Sequence, residues 1–409
     1  MLKGIFIFGS FIILCLSVIY YLVFITERFF YDKPFVSKED SDKHFISDNK
    51  NFFLLNSEGA LQKEGWLSTP LVNLNYQNIK PSTSYFPPLN FMRYKKWNAI
   101  SFSSDNYIGL VAGFDLGYGT GILFHIANIK NPEERPFSLQ EFYLKVLSPI
   151  EINDQCVNNC SLIKYRKKSS SSSFEELDLF INNGVIDFKM SYIGKDIKVA
   201  MNLKLSHEVT PIVTLNPISK DSTLFYYNEK YYCLKPMKQS LVEINSKQIP
   251  IGSFYFGHDS GRGVWPLKSG WFWLTANGIT TDGKLFGFNS GNGFINPKAK
   301  FTEDSFFIDG KMFKISYIKS ETNKPKGELR DYTFNNDNSQ TEAKNENRCN
   351  IQFTAKIINK NIVDLNLPLL DYSFEVIYGV FSGYCIDENK NKYVIKEAYG
   401  IGETKNSIW

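Results

Sequence analysis

The feature that most restricts what this chain can fold into is a side-chain period of two. In ELDLFINNGVIDFKMSYIGKDIKVAMNLKL, residues 176–205, Leu177, Leu179 and Ile181 alternate with mostly polar residues up to Asn183-Gly184. Ile186, Phe188, Met190 and Tyr192 continue the pattern, and a second turn at 194–196 leads into Ile197, Val199, Met201, Leu203 and Leu205. Alternation puts one face of each segment toward a core, and Asn-Gly supplies the positive backbone angles of a tight hairpin, so three antiparallel strands in a meander are predicted. The same signals return at Asp309-Gly310 followed by Phe313, Ile315 and Tyr317, and at Ile351, Phe353 and Ala355. Strands therefore fill both halves of the chain. At 409 residues it exceeds one ordinary core, and a duplicated barrel or sandwich is expected, with a first β unit over 51–245 and a second over 246–409. One accessory helix is predicted in PFSLQEFYLKVL, where Ser138 and Glu141 make a capping box ahead of Phe142, Val146 and Leu147.

Residues 4–26 carry no charge and are rich in Ile, Phe and Leu. A helix of that length spans about 33 Å, enough for a hydrocarbon layer of about 30 Å. It is longer than a cleavable signal's apolar region and ends in Thr26-Glu27-Arg28 rather than small residues. Residues 1–27 are therefore expected to be an uncleaved single-pass transmembrane anchor, followed by a polar juxtamembrane spacer over 28–50. A membrane is the implied partner, in the endomembrane system or at the cell surface. Flanking lysines and arginines leave the side of the folded part open. Lys and Arg total 46 against 42 acidic residues, and they are dispersed, which excludes a nucleic-acid footprint. The basic and serine-rich run 164–174 and the polar run 335–348 read as loops.

The five cysteines beyond Cys15 (156, 160, 233, 349 and 385) show no dense spacing, so their simplest reading is as free, small apolar side chains, with Cys156 and Cys160 able to close a small loop. Only four histidines occur, and HExxH, Walker, GxSxG and paired CxxC patterns are absent. No metal site and no cofactor is expected. GFDLGYGTG, 113–121, lacks a P-loop lysine and reads as a strand turn.

Chemistry concentrates in GHDSGRGVWPLKSGWFWLTANG, 257–278. Trp271 and Trp273, two apart on a strand, share a face. Gly261 and Gly263 are expected to permit unusual backbone angles around Arg262, whose guanidinium suits stacking on indoles or pairing with Asp259 or Glu303. An equally simple role for such a pair is to plug a barrel end. Asp259, Glu303 and His258 are the candidate acid–base groups.

These residues carry a resemblance. The order GWLSTPLVNLNYQ (65–77), RYKKWNAISFSSDNYIGLVAGFDLGYGTG (93–121), HDSGRGVWPLKSGWFW (258–273), GFNSGNGF (287–294), TEDSFFIDGKMFKI (302–315) and YGVFSGYCIDENKNKYVI (378–395) resembles the domain of unknown function 2804 family. The resemblance implies a mainly β fold, two lipocalin-like antiparallel β-barrels or sandwiches in tandem, related in architecture to carotenoid hydratases and tocopherol cyclase. It implies no established activity. Matching positions include Trp66, Trp97, Gly263, Asp259 and Glu303, and the implied ligand-binding set is Arg262, Trp265, Trp271, Trp273, Asn289, Tyr118 and Asp115. The chain departs from the family in its anchor and in lacking a basic residue just before Trp409.

Three functions follow as expectations. The first is binding of a hydrophobic small molecule, a lipid or isoprenoid, between aromatic walls beside a membrane. The second is an enzyme of hydratase, isomerase or cyclase type on such a ligand, with Asp259 or Glu303 as proton donor. The third is glycan or protein recognition, which requires Trp271 and Trp273 on an outer face.

Overall fold

The computed structural model describes residues 45–46, 52–79, 93–153, 160–166, 174–219, 221–266, 268–292, 302–315, 318–322, 328–335, 347–359, 364–367 and 370–408. The expected anchor over 1–27 lies outside them, as do Cys156, most of both polar loops and Trp409. Among the described residues no helix is long and apolar enough to cross a membrane. Of the expected spacer only 45–46 are described, and Ile46 is not free of the fold: it is buried, its N–H donating to the Trp66 carbonyl at 2.9 Å.

The chain is mainly β, in two curled half-barrel sheets. The first begins with β1 (Gly65–Leu67), β2 (Tyr94–Ser103), β3 (Tyr107–Asp115), β4 (Gly119–Asn128) and β5 (Phe137–Leu144). It continues through β6 (Ile150–Ile152), β7 (Cys160–Arg166), β8 (Phe174–Asn182), β9 (Val185–Ile193) and β10 (Lys198–Ser206). It is completed by β11 (Ile212–Pro217), β12 (Phe225–Pro236), β13 (Leu241–Ile244), β14 (Lys247–Ile249) and β15 (Tyr255–Val264). Its main order is β5-β4-β3-β2-β15-β12-β10-β9-β8-β7-β6. The second sheet opens with β16 (Lys268–Thr280), β17 (Leu285–Asn292), β18 (Ser305–Ile308), β19 (Lys311–Lys314) and β20 (Lys319–Thr322). It closes with β21 (Tyr332–Asn335), β22 (Arg348–Asn359), β23 (Asp364–Leu367), β24 (Leu370–Ile386) and β25 (Lys392–Ile408). Its main order is β19-β18-β17-β16-β25-β24-β22-β21-β20. The change of sheet falls between Val264 and Lys268 rather than near residue 245, because β15 inserts between β2 and β12.

The meander read from the period of two is β8-β9-β10, with Leu179 opposite Phe188 and Phe188 opposite Leu203. Asn183 and Gly184 both have positive φ (48° and 72°), the geometry of a two-residue hairpin turn, and Asp309 and Gly310 repeat it between β18 and β19. The predicted helix at 136–147 is instead β5 followed by a 3-10 turn over Lys145–Leu147. β5 pairs with β4 along its length, and Leu139 and Tyr143 pack on the first core, so cross-strand pairing overrides a local capping signal. The cysteines are also corrected. Cys349 and Cys385 face one another across β22 and β24 and form a disulfide, Cys160 is disulfide-bonded, and among the described residues Cys233 is the free one.

Each sheet wraps its own apolar core, the first around Phe102, Phe124, Phe188 and Leu203 and the second around Phe288, Phe334, Phe353 and Phe381. A third layer lies where the sheets meet back to back. Leu110 and Ala112 of β3, Trp273 of β16 and Phe374, Val376 and Tyr378 of β24 form one buried cluster there. Strands at this junction have both faces covered. β12 shows how the chain manages it: a register shift between Tyr231 and Leu234, with Cys233 at φ 61°, reverses which residues face the core. Tyr231 and Leu234 consequently both join the first core, while Tyr226, Asn228 and Lys230 turn to the junction.

Candidate functional site

The junction holds a partly open cavity of about 160 Å³. Its walls are aromatic: Trp97 from β2, Trp265 from the linker, Trp271 and Trp273 from β16, and Phe374 from β24. Trp97 and Trp265 meet edge to face with centroids 5.4 Å apart, Trp265 and Trp271 likewise at 6.0 Å, and Trp97 stacks on Tyr226 at 5.7 Å. The two indoles of WFWL share one face, as the strand period requires, and that face looks into the protein. Trp273 is 6 % exposed, which removes the outer-face geometry that glycan or protein recognition needed.

Gly261 stands directly opposite Trp97 in the β15–β2 register, and a Cβ there would lie 1.9 Å from Cζ2 of the indole. Neither Gly261 nor Gly263 has positive φ, so the expectation of unusual backbone angles is corrected. Gly261 is required for room, and so is Gly291, where a Cβ would meet Glu303 Oε1 at 2.1 Å.

The cavity lining includes a buried charge cluster. Lys230 Nζ lies 3.0 Å from Asp259 Oδ2, 3.5 Å from Glu303 Oε1 and 4.2 Å from the centre of the Trp273 ring. Trp97 Nε1 donates to Asp259 Oδ1 at 3.3 Å. Glu303 Oε2 accepts from Asn228 Nδ2 at 3.1 Å and from the Tyr226 hydroxyl at 3.4 Å. Burial raises the Asp259 carboxyl above the usual carboxylate range; Lys230 pulls it back in part, and Glu303 pushes it up. An acid held this way can keep a proton where an exposed aspartate would not.

A second charged group on the lining is mostly basic. Lys95 of β2 and Lys405 of β25 both line the cavity and are buried, with Glu403 beside them. Burial is the main force pulling Lys95 down to about 7, opposed by Asp115 and helped by Arg93. Lys405 falls well below the ordinary lysine range through burial and then the neighbouring Lys95, against which Glu403 acts. Its ammonium lies 4.4 Å from the centre of the Trp271 ring.

Of the residues singled out from sequence, Asp259, Glu303, Trp265, Trp271 and Trp273 thus lie on one wall system. The others do not. Arg262 and His258 alternate with Asp259 on β15 and face the first barrel. Arg262 donates to Ser260 Oγ at 2.6 Å and to the Asn153 carbonyl at 3.3 Å, and it does not line the cavity. His258 packs on Tyr231 and His207, with its Nδ1 3.5 Å from His207 Nε2, and burial, His207 and Arg262 push it far below the usual histidine range. It does not line the cavity, so the structure does not bring it together with Asp259 and Glu303 there. Asp115 pairs with Lys96 at 3.7 Å and with Lys145 at the end of the first sheet. Tyr118 covers Lys95, whose Nζ is 4.8 Å from its ring centre. Asn289 stands behind the wall as a brace: it accepts from Trp273 Nε1 at 2.8 Å and from the Tyr232 hydroxyl at 3.1 Å, and donates to the Glu303 carbonyl at 2.9 Å.

Sequence reasoning missed Lys230, Lys95, Lys405 and Glu403. The signal available was lysine inside a strand without alternation, as in RYKKW and FYYNEKYY, where a charge has no solvent face to occupy. Among the described residues no His, Cys, Asp and Glu cluster is arranged to hold a metal.

The model of the family described as Domain of unknown function (DUF2804) matches residues 43–409. No curated protein matches the sequence. Among solved structures, a protein described as an AttH from Nitrosomonas europaea aligns at 10% identity and a TM-score of 0.42, covering 80% of this chain and 98% of its own. Kievitone hydratase from Nectria haematococca aligns at 11% identity and 0.39, covering 76% and 88%. CghA with Sch210972 aligns at 7% and 0.39, covering 77% and 88%.

Proposed function

This chain belongs to the DUF2804 family, and from the junction cavity we propose that it binds a small hydrophobic molecule bearing a polar group. The observation that carries the reading is a partly open, aromatic-walled cavity lined by a few buried charged groups, the usual composition of a ligand site. Its size limits the guest. A void of about 150 Å³ holds benzene, and pockets for drug-sized ligands run to roughly 300–1,000 Å³. At about 160 Å³ the cavity suits one ring or one short branched chain, such as the end of a lipid or isoprenoid, rather than a whole polyene. An anchor over residues 1–27 would hold this site beside an apolar supply. Native mass spectrometry and solvent extraction of the purified full-length chain should reveal a bound apolar molecule, and benzyl alcohol should change tryptophan emission saturably. Protein that is clean and insensitive to benzyl alcohol would overturn the reading.

A second reading is supported by the raised Asp259 carboxyl on the cavity wall. There it would protonate an alkene or exchange a hydroxyl's proton, with the Trp97 and Trp273 faces stabilising a developing cation. Asp259→Asn should then leave the ligand bound and stop its turnover.

A further inference from the structure

Resting on the ligand-binding reading, we propose that Lys405 forms an imine with an aldehyde or ketone carried by the molecule that occupies the junction cavity. Four features of the site converge on this one amine. Lys405 lies on the cavity wall and is only 5 % exposed, so its nitrogen meets a guest in an apolar, water-poor space. Lys95, buried on the same wall, places a second amine next to it, and a lysine that is desolvated and set beside another cation is the recognised form of an activated amine nucleophile.

Glu403 lies two residues earlier on β25, therefore on the same strand face, and also lines the cavity. Its Oε1 is 3.7 Å from His125 Nε2, beyond hydrogen-bond distance, and His125 Nδ1 is 3.2 Å from the Tyr378 hydroxyl, so an imidazole stands behind the carboxylate. Finally, Trp271 presents its face to the Lys405 nitrogen. A ring that holds an ammonium there also holds the protonated imine that replaces it.

The chemistry balances with these groups alone. The Lys405 lone pair attacks the carbonyl carbon, one proton moves from nitrogen to oxygen through Glu403, and a carbinolamine forms. Glu403 then takes the remaining proton of the nitrogen and passes it to the oxygen, which leaves as water while the C=N bond forms. One carbonyl and one amine become one imine and one water, with no oxidant or reductant. The other charged group on the lining, Lys230 with Asp259 and Glu303, remains available to hold a hydroxyl on the same guest.

The test uses the full-length chain, benzaldehyde as a one-ring carbonyl probe and cyanoborohydride to reduce any imine to a stable benzyl amine located by peptide mapping. At pH 7 Lys405 should be labelled at least about tenfold faster than any exposed lysine, because more of it is unprotonated. Benzyl alcohol should compete, and Lys405→Met should abolish the selective adduct. Should Lys405→Met prove unstable, the site distribution and pH profile of the unaltered chain decide the matter. Selective labelling that persists below pH 8 supports the proposal. Benzyl alcohol binding with adducts scattered over surface lysines overturns the imine and leaves the ligand site intact. Preferred labelling of Lys95 overturns the assignment of the nucleophile. Failure of both probes to bind overturns the ligand site itself.

Discussion

Gly261→Ala is the sharpest perturbation of the cavity wall, because it adds one methyl group beneath one indole. The new Cβ would sit 1.9 Å from Cζ2, 2.3 Å from Cη2 and 2.5 Å from Cε2 of Trp97. Restoring the 3.4 Å of ordinary contact from 1.9 Å requires the ring to retreat by about 1.5 Å. It cannot do so cheaply. Trp97 is held by its bond to Asp259, by the edge of Trp265 and by the face of Tyr226. Overpacking of this kind costs about 1–3 kcal/mol, and three clashing atoms on a rigid ring argue for the upper end. The only yielding direction is the cavity, so benzyl alcohol binding should weaken sharply as well. Urea titration followed by tryptophan emission, with the Gly261→Ala/Trp97→Leu double substitution beside the two singles, should give a coupling above about 1 kcal/mol, because the smaller side chain relieves the clash. A Gly261→Ala midpoint within about 0.5 kcal/mol of the parent, with unchanged probe binding, would refute the geometry.

Lys230→Met should cost about 3–5 kcal/mol by leaving Asp259 and Glu303 uncompensated in a buried site, and adding Asp259→Asn should return part of the loss in the same urea assay. Lys95 holds its proton to about 10.5 when unfolded and to about 7 when folded, so between those values the unfolded chain binds more protons and stability rises with pH. Lys95→Met should therefore flatten the melting temperature against pH over 7–10, with its gain greatest at pH 7. His207, drawn down to about 4 by burial from an unfolded value of 6.5, works over a lower window, where stability falls as pH drops from 6.5 toward 4. His207→Gln should reduce that fall, and a guanidinium midpoint equally acid-sensitive in both proteins would count against a buried neutral imidazole. Replacing Cys349 and Cys385 by alanine, across a separation of 36 residues, should cost up to about 4 kcal/mol by calorimetry on the chain-entropy model.

The parts of the fold that were legible are those with one face on a core and one on water. Leu177 through Leu205 alternate because β8, β9 and β10 have a solvent side, and Asn183-Gly184 marks the turn because two positive φ angles suit no other common pair so well. The junction strands gave no such signal. In β2 and β12 both faces are covered, so Lys95, Trp97, Tyr226 and Lys230 sit among apolar neighbours with no period to separate wall from core. The site was half visible for the same reason. Tryptophans at 265, 271 and 273 announce a buried aromatic surface, whereas the partition of Asp259 from His258 and Arg262 follows only from which sheet face meets the second sheet. The Cys349–Cys385 bond was hidden because its two residues become neighbours through the β22–β24 register, which no local spacing reports.

The balance of charge around the void argues for a guest more strongly than the aromatic walls do. Indoles at a junction of two sheets need no function, since large rings fill such seams well. Charges do, because a buried ion pair is commonly no more stabilising than apolar residues of the same volume. Four lysines (95, 96, 230 and 405) and three acids (Asp259, Glu303 and Glu403) all contribute to the walls of one cavity of about 160 Å³. A seam selected for stability alone would replace them with leucine and methionine and close the gap. Their grouping sharpens the point: Asp259 and Glu303 gather on Lys230, while Lys405 lies in the field of Lys95. An amine depressed by burial and by a neighbouring lysine is an unfavourable arrangement by itself, and it becomes a favourable one when a guest bonds to the Lys405 nitrogen.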